Sequence, residues 1–119
     1  MRLSNELILN AGDASGDLTS TQGLVAHVFG YSIQIVITGT PEGDIKLQGS
    51  SDPVPDASFK VSTFPVANWT DIECSTKTIT GAGTLTYDVA DVFYNWVRVI
   101  YTATSGIGTL TMRLNTKGF

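Results

Sequence analysis

The sequence predicts an all-β protein, an antiparallel β-sandwich of about eight strands. Apolar and polar residues alternate with a period of two along most of the chain, and turn-forming clusters separate the alternating segments. The one segment with helical character, residues 20–32, is interrupted by Gly23 and Gly30, so we interpret it as a short strand or an irregular turn. A jelly roll is the favoured wiring. An immunoglobulin-like sandwich would show the same alternation and stays open.

The alternation predicts strands that bury one face. Ile33, Ile35 and Ile37 share one side of the segment 31–39, with polar residues opposite, and segments 44–48, 84–89 and 109–115 repeat the pattern. Such alternation is typical of antiparallel strands on a core. The 119 residues suit one domain, 1–119, without a linker or internal repeat.

The segment 95–115 predicts two adjacent core strands joined by a hairpin at the Gly-rich turn 104–109. In its first half, Val97, Val99 and Tyr101 form one row, whereas the opposite row mixes Trp96 and Arg98 with apolar residues. A mixed outer row indicates a central strand whose outer face is partly covered.

The two ends of the chain also carry apolar residues. Residues 1–9 predict either a strand or an N-terminal docking arm, and deletion of an arm would leave a folded monomer. Because the last alternating segment runs almost to residue 119, we expect the last strand near a sheet edge, which needs protection or a partner.

Charge and composition exclude several classes of function. The net charge is −4 and the seven Lys and Arg residues are scattered, so no basic face for nucleic acid is expected. No secretory signal and no membrane-length apolar segment is present. Charged residues make up 15% of the chain, which also contains 16 Thr and 10 Ser. This composition fits either a surface covered by partners or a Thr-rich β-surface.

No motif predicts catalysis. His27 is the only histidine, Cys74 the only cysteine, and neither lies in a recognisable catalytic signature, so we predict no enzyme activity and no cofactor. We expect Cys74 to be a buried small hydrophobe in a strand-like stretch. Asp13 and Asp17, in a glycine-rich loop, are weak candidates for a calcium site, and a solvated turn is the favoured interpretation.

The aromatic residues offer the main candidates for ligand contact. Trp69 lies at the entry to a strand, and Tyr94 and Trp96 precede the central strand that carries Arg98. Exposed rings would form a platform for sugars, whereas buried rings would fill the ends of the sandwich. The sequence leaves both possibilities open for Trp69 and Trp96.

Several stretches, read in order, resemble small β-sandwich structural proteins of tailed bacteriophages. They include G-Y-S-I-Q at 30–34, K-L-Q-x-S-x-D at 46–52, N-W-T-D at 68–71 and W-V-R-V-x-Y-T at 96–102. A weaker similarity, over residues 87–102, is to discoidin-like jelly rolls that bind sugars.

The resemblance implies a non-enzymatic virion protein that is made in the bacterial cytoplasm and decorates the capsid or its vertices. Its expected partners are the major capsid protein and copies of itself, without nucleic acid or membrane, and Met1, Leu3 and Arg113 are candidate contacts. The alternative is a carbohydrate-binding or adhesive module, for which Trp69, Tyr94, Trp96 and Arg98 would be the contacts.

Overall fold

A computed structural model describes residues 2–54, 60–90 and 92–118, without the side chains of residues 2–4, 62 and 118. The predicted all-β class is confirmed, and the described part contains no α-helix. One 3-10 turn, Val61–Thr63, interrupts the strands. The ten strands are β1 (Arg2–Asp13), β2 (Leu18–Thr19), β3 (Gly23–Leu24), β4 (Val28–Gly39), β5 (Glu42–Ser50), β6 (Thr70–Asp71), β7 (Lys77–Thr80), β8 (Gly83–Val89), β9 (Trp96–Ser105) and β10 (Gly108–Gly118).

The strands form two antiparallel sheets. Sheet A has the order β1-β10-β4-β8, and sheet B has β9 and β5 at its centre. The short strands β2 and β3 both pair with β9, and β6 and β7 both pair with β5. Strands β2 and β3 follow one another along the outer edge of β9, and β6 and β7 do the same along the outer edge of β5. Sheet B therefore has four strand positions, like sheet A. This is the eight-position order of a jelly roll, and it decides against the immunoglobulin-like alternative.

The connections at one end of the sandwich cross from one sheet to the other, and we call them arches. The hairpin predicted at 104–109 is wrong, because β9 pairs with β5 in sheet B whereas β10 pairs with β1 and β4 in sheet A. Gly106 turns the arch with a φ of +83°, a backbone conformation that glycine adopts without a steric penalty. The amide of Thr40, in the neighbouring arch, donates to the carbonyl of Ile107 at 2.8 Å.

The core lies between the inner faces of the two sheets, as the alternation predicts. The rows of Ile33, Ile35 and Ile37 from β4 and of Val97, Val99 and Tyr101 from β9 are buried. Inward residues of the other strands complete the cluster, namely Ile8, Ile45, Leu47, Ile79, Tyr87, Leu110, Met112 and Leu114.

The long connection between β5 and β6 folds back over the outer face of sheet B. Asp52 accepts hydrogen bonds from the amides of Ala67 (2.8 Å) and Asn68 (3.2 Å) and from the Asn68 side chain (2.8 Å). Phe64, from the same connection, stacks on Trp96 with 5.3 Å between ring centroids. The central strand β9 is therefore covered on part of its outer face, as predicted.

Two local predictions are corrected, for Cys74 and for the last strand, and one open alternative, for residues 1–9, is decided. Cys74 is exposed and lies in a turn with a φ of +61°, so it is not a buried strand residue. Residues 2–9 belong to β1 instead of a projecting arm, and Ile8 is only 4% exposed. The last strand, β10, lies between β1 and β4, away from the sheet edges.

Candidate binding surfaces

A row of polar side chains crosses the outer face of sheet B. Strand register aligns Arg98, Gln48 and Asp71 across β9, β5 and β6. The Arg98 Nε donates to Gln48 Oε1 at 2.8 Å, and Gln48 Nε2 donates to Asp71 Oδ1 at 2.8 Å. Lys46 forms an ion pair with the other carboxylate oxygen of Asp71 at 2.9 Å. The hydrogen bonds from Gln48 and Lys46 lower the pKa of Asp71.

Trp69 lies beside this row. The Arg98 guanidinium sits over the indole ring, 4.3 Å from its centroid, and the indole N–H donates to the carbonyl of Val66 at 3.1 Å. Partial burial lowers the pKa of Arg98. Because the guanidinium already covers one face of the ring, Trp69 does not offer that face to a sugar.

Of the four residues predicted to contact a sugar, the structure brings two together. Trp69 and Arg98 are in contact, whereas the Trp96 side chain is fully buried and donates its indole N–H to the carbonyl of Asp52 at 3.2 Å. Tyr94 packs against Gly49, where an added Cβ would lie 2.5 Å from the phenol ring. The interpretation of Trp96 as part of an exposed platform is therefore wrong, since Phe64 stacks on its ring and the side chain is buried beneath the connection between β5 and β6.

The outer face of sheet A is broad and carries few charges. It presents the predicted outer row of β10, including Arg113, beside matching hydroxyl and amide rows from β4 and β8. Two apolar side chains, Leu7 (43% exposed) and Val36 (38% exposed), lie among them. The outer residues of the central strands and β8 are Ser32, Gln34, Val36, Thr38, Thr84, Thr86, Asp88, Thr109, Thr111, Arg113, Asn115 and Lys117.

The edges of both sheets are protected against pairing with another chain. Edge strand β1 carries two register irregularities, and the edges of sheet B consist of strands of two to four residues. On edge strand β8, the Lys77 ammonium binds the carbonyl of Thr86 at 3.2 Å and lies 4.8 Å from the Tyr87 ring centroid. Bulges, short edge strands and lysines all disfavour edge-to-edge association.

A cleft of about 760 Å³ opens at the end of sheet A away from the arches. Register places Asn5, Asn115, Ser32 and Asp88 in one row across β1, β10, β4 and β8, and all four line the cleft. Phe29, which is 40% exposed, adds an aromatic ring. These residues could not be recognised as a group from the sequence, because they lie up to 110 positions apart and only the strand register aligns them.

The candidate metal and catalytic residues lie apart from these surfaces. Asp13 accepts a hydrogen bond from the Ser15 amide (3.0 Å), which lowers its pKa, and Asp17 accepts one from the Ala103 amide (2.9 Å). Across the described ranges, no group of three His, Cys, Asp or Glu residues could hold a metal ion. His27 is exposed in the turn before β4.

Two remaining candidate contacts are at the N-terminus. Met1 lies outside the described residues, and for Leu3 the structure describes only the backbone, which pairs with Lys117. In the part of the chain that is described, no helix is long and apolar enough to cross a membrane.

Comparison with solved structures shows the fold. The crystal structure of the SPBc2 prophage-derived protein YomS aligns with a TM-score of 0.53 and 11% identity, over 97% of this chain and 92% of that chain. The crystal structure of PirA gives a TM-score of 0.48 and 16% identity, over 92% of this chain and 90% of that chain. No protein-family model matches the sequence, and no curated protein sequence matches it. At 11% identity the likeness to YomS shows a shared fold alone.

Proposed function

We propose that this protein is a non-enzymatic structural component of a tailed-phage virion that binds the capsid through the outer face of sheet A. The observation that carries the proposal is the composition of the middle of that face, where Thr and Gln side chains surround the exposed Val36 and Leu7, and Arg113 is the charged residue among them. Interface centres are depleted of charged residues in the same way. The likeness in fold to a prophage-derived protein supports the phage context.

The face is better suited to assembly than the sheet edges are. Its hydroxyl and amide groups sit on a rigid sheet and can form hydrogen bonds without the cost of burying ions. The edges are bulged, short or occupied by Lys77, so we place less weight on backbone pairing with a second chain. In this role the protein binds copies of the major capsid protein in a symmetric array and needs no cofactor.

The proposal predicts that a charge in the centre of this face blocks assembly. Val36→Lys should lower the amount of the protein in purified particles by about tenfold or more, because an unpaired ammonium would be buried in the interface. Thr102→Lys, on the outer face of sheet B, is the matched control and should assemble normally, since Thr102 is exposed on the opposite side.

Quantitative mass spectrometry of the particles measures both variants against the major capsid protein. A fixed copy number of the wild-type chain that approaches that of the capsid protein would support a covering role, and a small fixed fraction would support a vertex role. Absence of the wild-type chain from particles would refute the virion proposal. Normal incorporation of Val36→Lys would refute the assignment of the interface to sheet A.

The alternative of a sugar platform on sheet B finds less support in the geometry. Its two tryptophans do not form one exposed platform, because Trp96 is buried and Trp69 is covered on one face by Arg98. The Gln48 and Asp71 side chains next to them already bind each other, and Asp71 also binds Lys46. A sugar would have to displace these contacts before it could form its own.

A further inference from the structure

The cleft at the end of sheet A has the size and composition of a ligand site. Its volume of about 760 Å³ lies within the range of about 300–1,000 Å³ that is typical of small-molecule pockets. Apolar surface from Phe29, Val89 and Ala90 adjoins a row of polar side chains. Pockets that bind organic ligands combine these two kinds of surface, since the apolar part supplies affinity and a few polar groups fix orientation.

The polar row has a defined direction of hydrogen bonding. The Arg113 guanidinium donates to the Asn5 side-chain oxygen at 3.4 Å, and the Asn5 amide nitrogen donates to the side-chain oxygen of Asn115. In this series of hydrogen bonds the Asn115 side-chain oxygen is an acceptor. The Asn115 side-chain nitrogen can therefore donate a hydrogen bond to a ligand. Ser32, the next residue in the row, can donate or accept.

Asp88 stands at the far end of the same row. Two strand spacings separate it from Asn115, which corresponds to about 10 Å between their backbones. An ionised carboxylate only accepts hydrogen bonds, so the row offers donors at one end and acceptors at the other. Hydroxyl groups suit both ends of the row, because each of them can donate and accept.

Charge narrows the class of ligand further. Lys117 and Asp88 contribute one charge of each sign to the described lining, so the cleft has no net preference for anions. A nucleotide would need more positive charge around its phosphate, and the whole chain has a net charge of −4. A neutral polyol with an apolar C–H face fits the apolar lining from Phe29, Val89 and Ala90.

We infer that this cleft binds a neutral oligosaccharide, with the sugar ring against Phe29 and its hydroxyls on Asn115, Ser32 and Asp88. The site is distinct from the Trp69 and Arg98 cluster, which lies on the other sheet. It lies at the end of the outer face of sheet A, beside the proposed capsid contact, and its binding can be measured on the isolated protein.

The first test is a glycan array that carries neutral and acidic oligosaccharides, probed with the labelled protein. We expect hits among the neutral oligosaccharides, which isothermal titration then confirms in solution. An array without hits would overturn the inference. So would binding of a nucleoside monophosphate in place of the sugars.

A matched pair of variants locates the site. Asp88→Asn should weaken binding of the array hit by about tenfold, because it removes a charge-assisted hydrogen bond. Asp71→Asn makes the same change on the outer face of sheet B and should leave the affinity unchanged. Both carboxylates are exposed, so neither variant should unfold the protein, and thermal denaturation verifies this.

A second pair tests the aromatic contact. Phe29→Ala should also lose affinity, whereas Trp69→Ala should keep it. The reverse result, with binding lost on Asp71→Asn and Trp69→Ala and kept on Asp88→Asn and Phe29→Ala, would place the sugar site on sheet B and overturn the inference.

Discussion

Tyr87 links the two sheets through a single hydroxyl group. Its strand belongs to sheet A, yet its O–H reaches the carbonyls of Ile45 (3.1 Å) and Ser75 (2.6 Å) on the side of sheet B. A hydroxyl has one hydrogen, so the two carbonyls share it, and both bonds require the neutral phenol. Burial raises the pKa of Tyr87 to about 12, and burial together with Tyr94 does the same for Tyr31.

These raised pKa values predict loss of stability at alkaline pH. An unfolded tyrosine releases its proton near pH 10, so between about pH 10 and pH 12 the unfolded chain binds fewer protons than the folded one. The free energy of unfolding should therefore be constant up to about pH 10 and fall as the pH rises further. Denaturant titrations at a series of pH values measure it.

Tyr87→Phe serves as the control for this prediction. It should be less stable than the wild type at neutral pH, since the carbonyls of Ile45 and Ser75 lose their donor. It should lose less stability than the wild type between pH 10 and pH 12. Equal losses in the two proteins would show that Tyr87 does not contribute to the alkaline transition.

At the scale of elements, the connection between β5 and β6 depends on Asp52. Three donors from Ala67 and Asn68 converge on its carboxylate, and the Asn68 side chain is the largest cause of its lowered pKa. These bonds tie the end of the connection, at Ala67 and Asn68, back to its beginning at Asp52. The closure should hold above the ordinary pKa of an aspartate and weaken as the pH falls through the lowered value.

Trypsin measures this closure directly, because Lys60 is exposed within the loop. Asp52→Ala should speed cleavage after Lys60 severalfold, since the loop would open without unfolding of the sandwich. Asp44→Ala, which removes an acceptor for Thr78 elsewhere on β5, should leave this cleavage rate unchanged. Equal rates in Asp52→Ala and the wild type would contradict the assignment.

Sequence alternation predicted the strands and their buried faces because each strand lies on one core. It failed for the connections, since an arch and a hairpin need the same turn residues. The segment 104–109 shows this, because pairing with distant strands decides which form it takes.

The position of Cys74 was predicted wrongly for a related reason. Apolar residues such as Ile72 flank it, but a local turn with the Ser75 amide bonded to the carbonyl of Ile72 replaces the strand.

The binding surfaces were harder to predict than the fold. Alternation identified the outer row of β10, but the row from Asn5 to Asp88 depends on the order of four strands. Arg98 and Trp69 were named as candidates because aromatic and arginine residues stand out in a sequence, and their contact with each other could not be predicted. Trp69 and Trp96 could not be distinguished in this way, because the Phe64 ring that covers Trp96 comes from a distant loop.

At the scale of the whole molecule, β1 is part of the sandwich. It pairs with β10 over nearly its full length and contributes Ile8 to the core. Deletion of residues 1–9 should therefore lower the melting temperature by ten degrees or more, because about 2 kcal/mol or more of core packing is lost together with the strand. This differs from the docking-arm interpretation, which predicts a folded monomer.

Thermal denaturation followed by circular dichroism distinguishes the two expectations. Leu7→Ser is a suitable control, since that side chain is 43% exposed on the outer face of the same strand and its loss should change the melting temperature little. A truncated chain that melts like the wild type would restore the interpretation of residues 1–9 as an arm.

The position of β10 also governs how the protein can fold. Strands β1 and β4 are joined in sheet A only through β10, because both pair with it. Until β10 is in place, each of these two long strands exposes an unpaired row of backbone groups on the side that β10 covers, and no local hairpin can satisfy them. Assembly of sheet A therefore waits for contacts between distant parts of the chain, so we expect it to be slow compared with the formation of a hairpin.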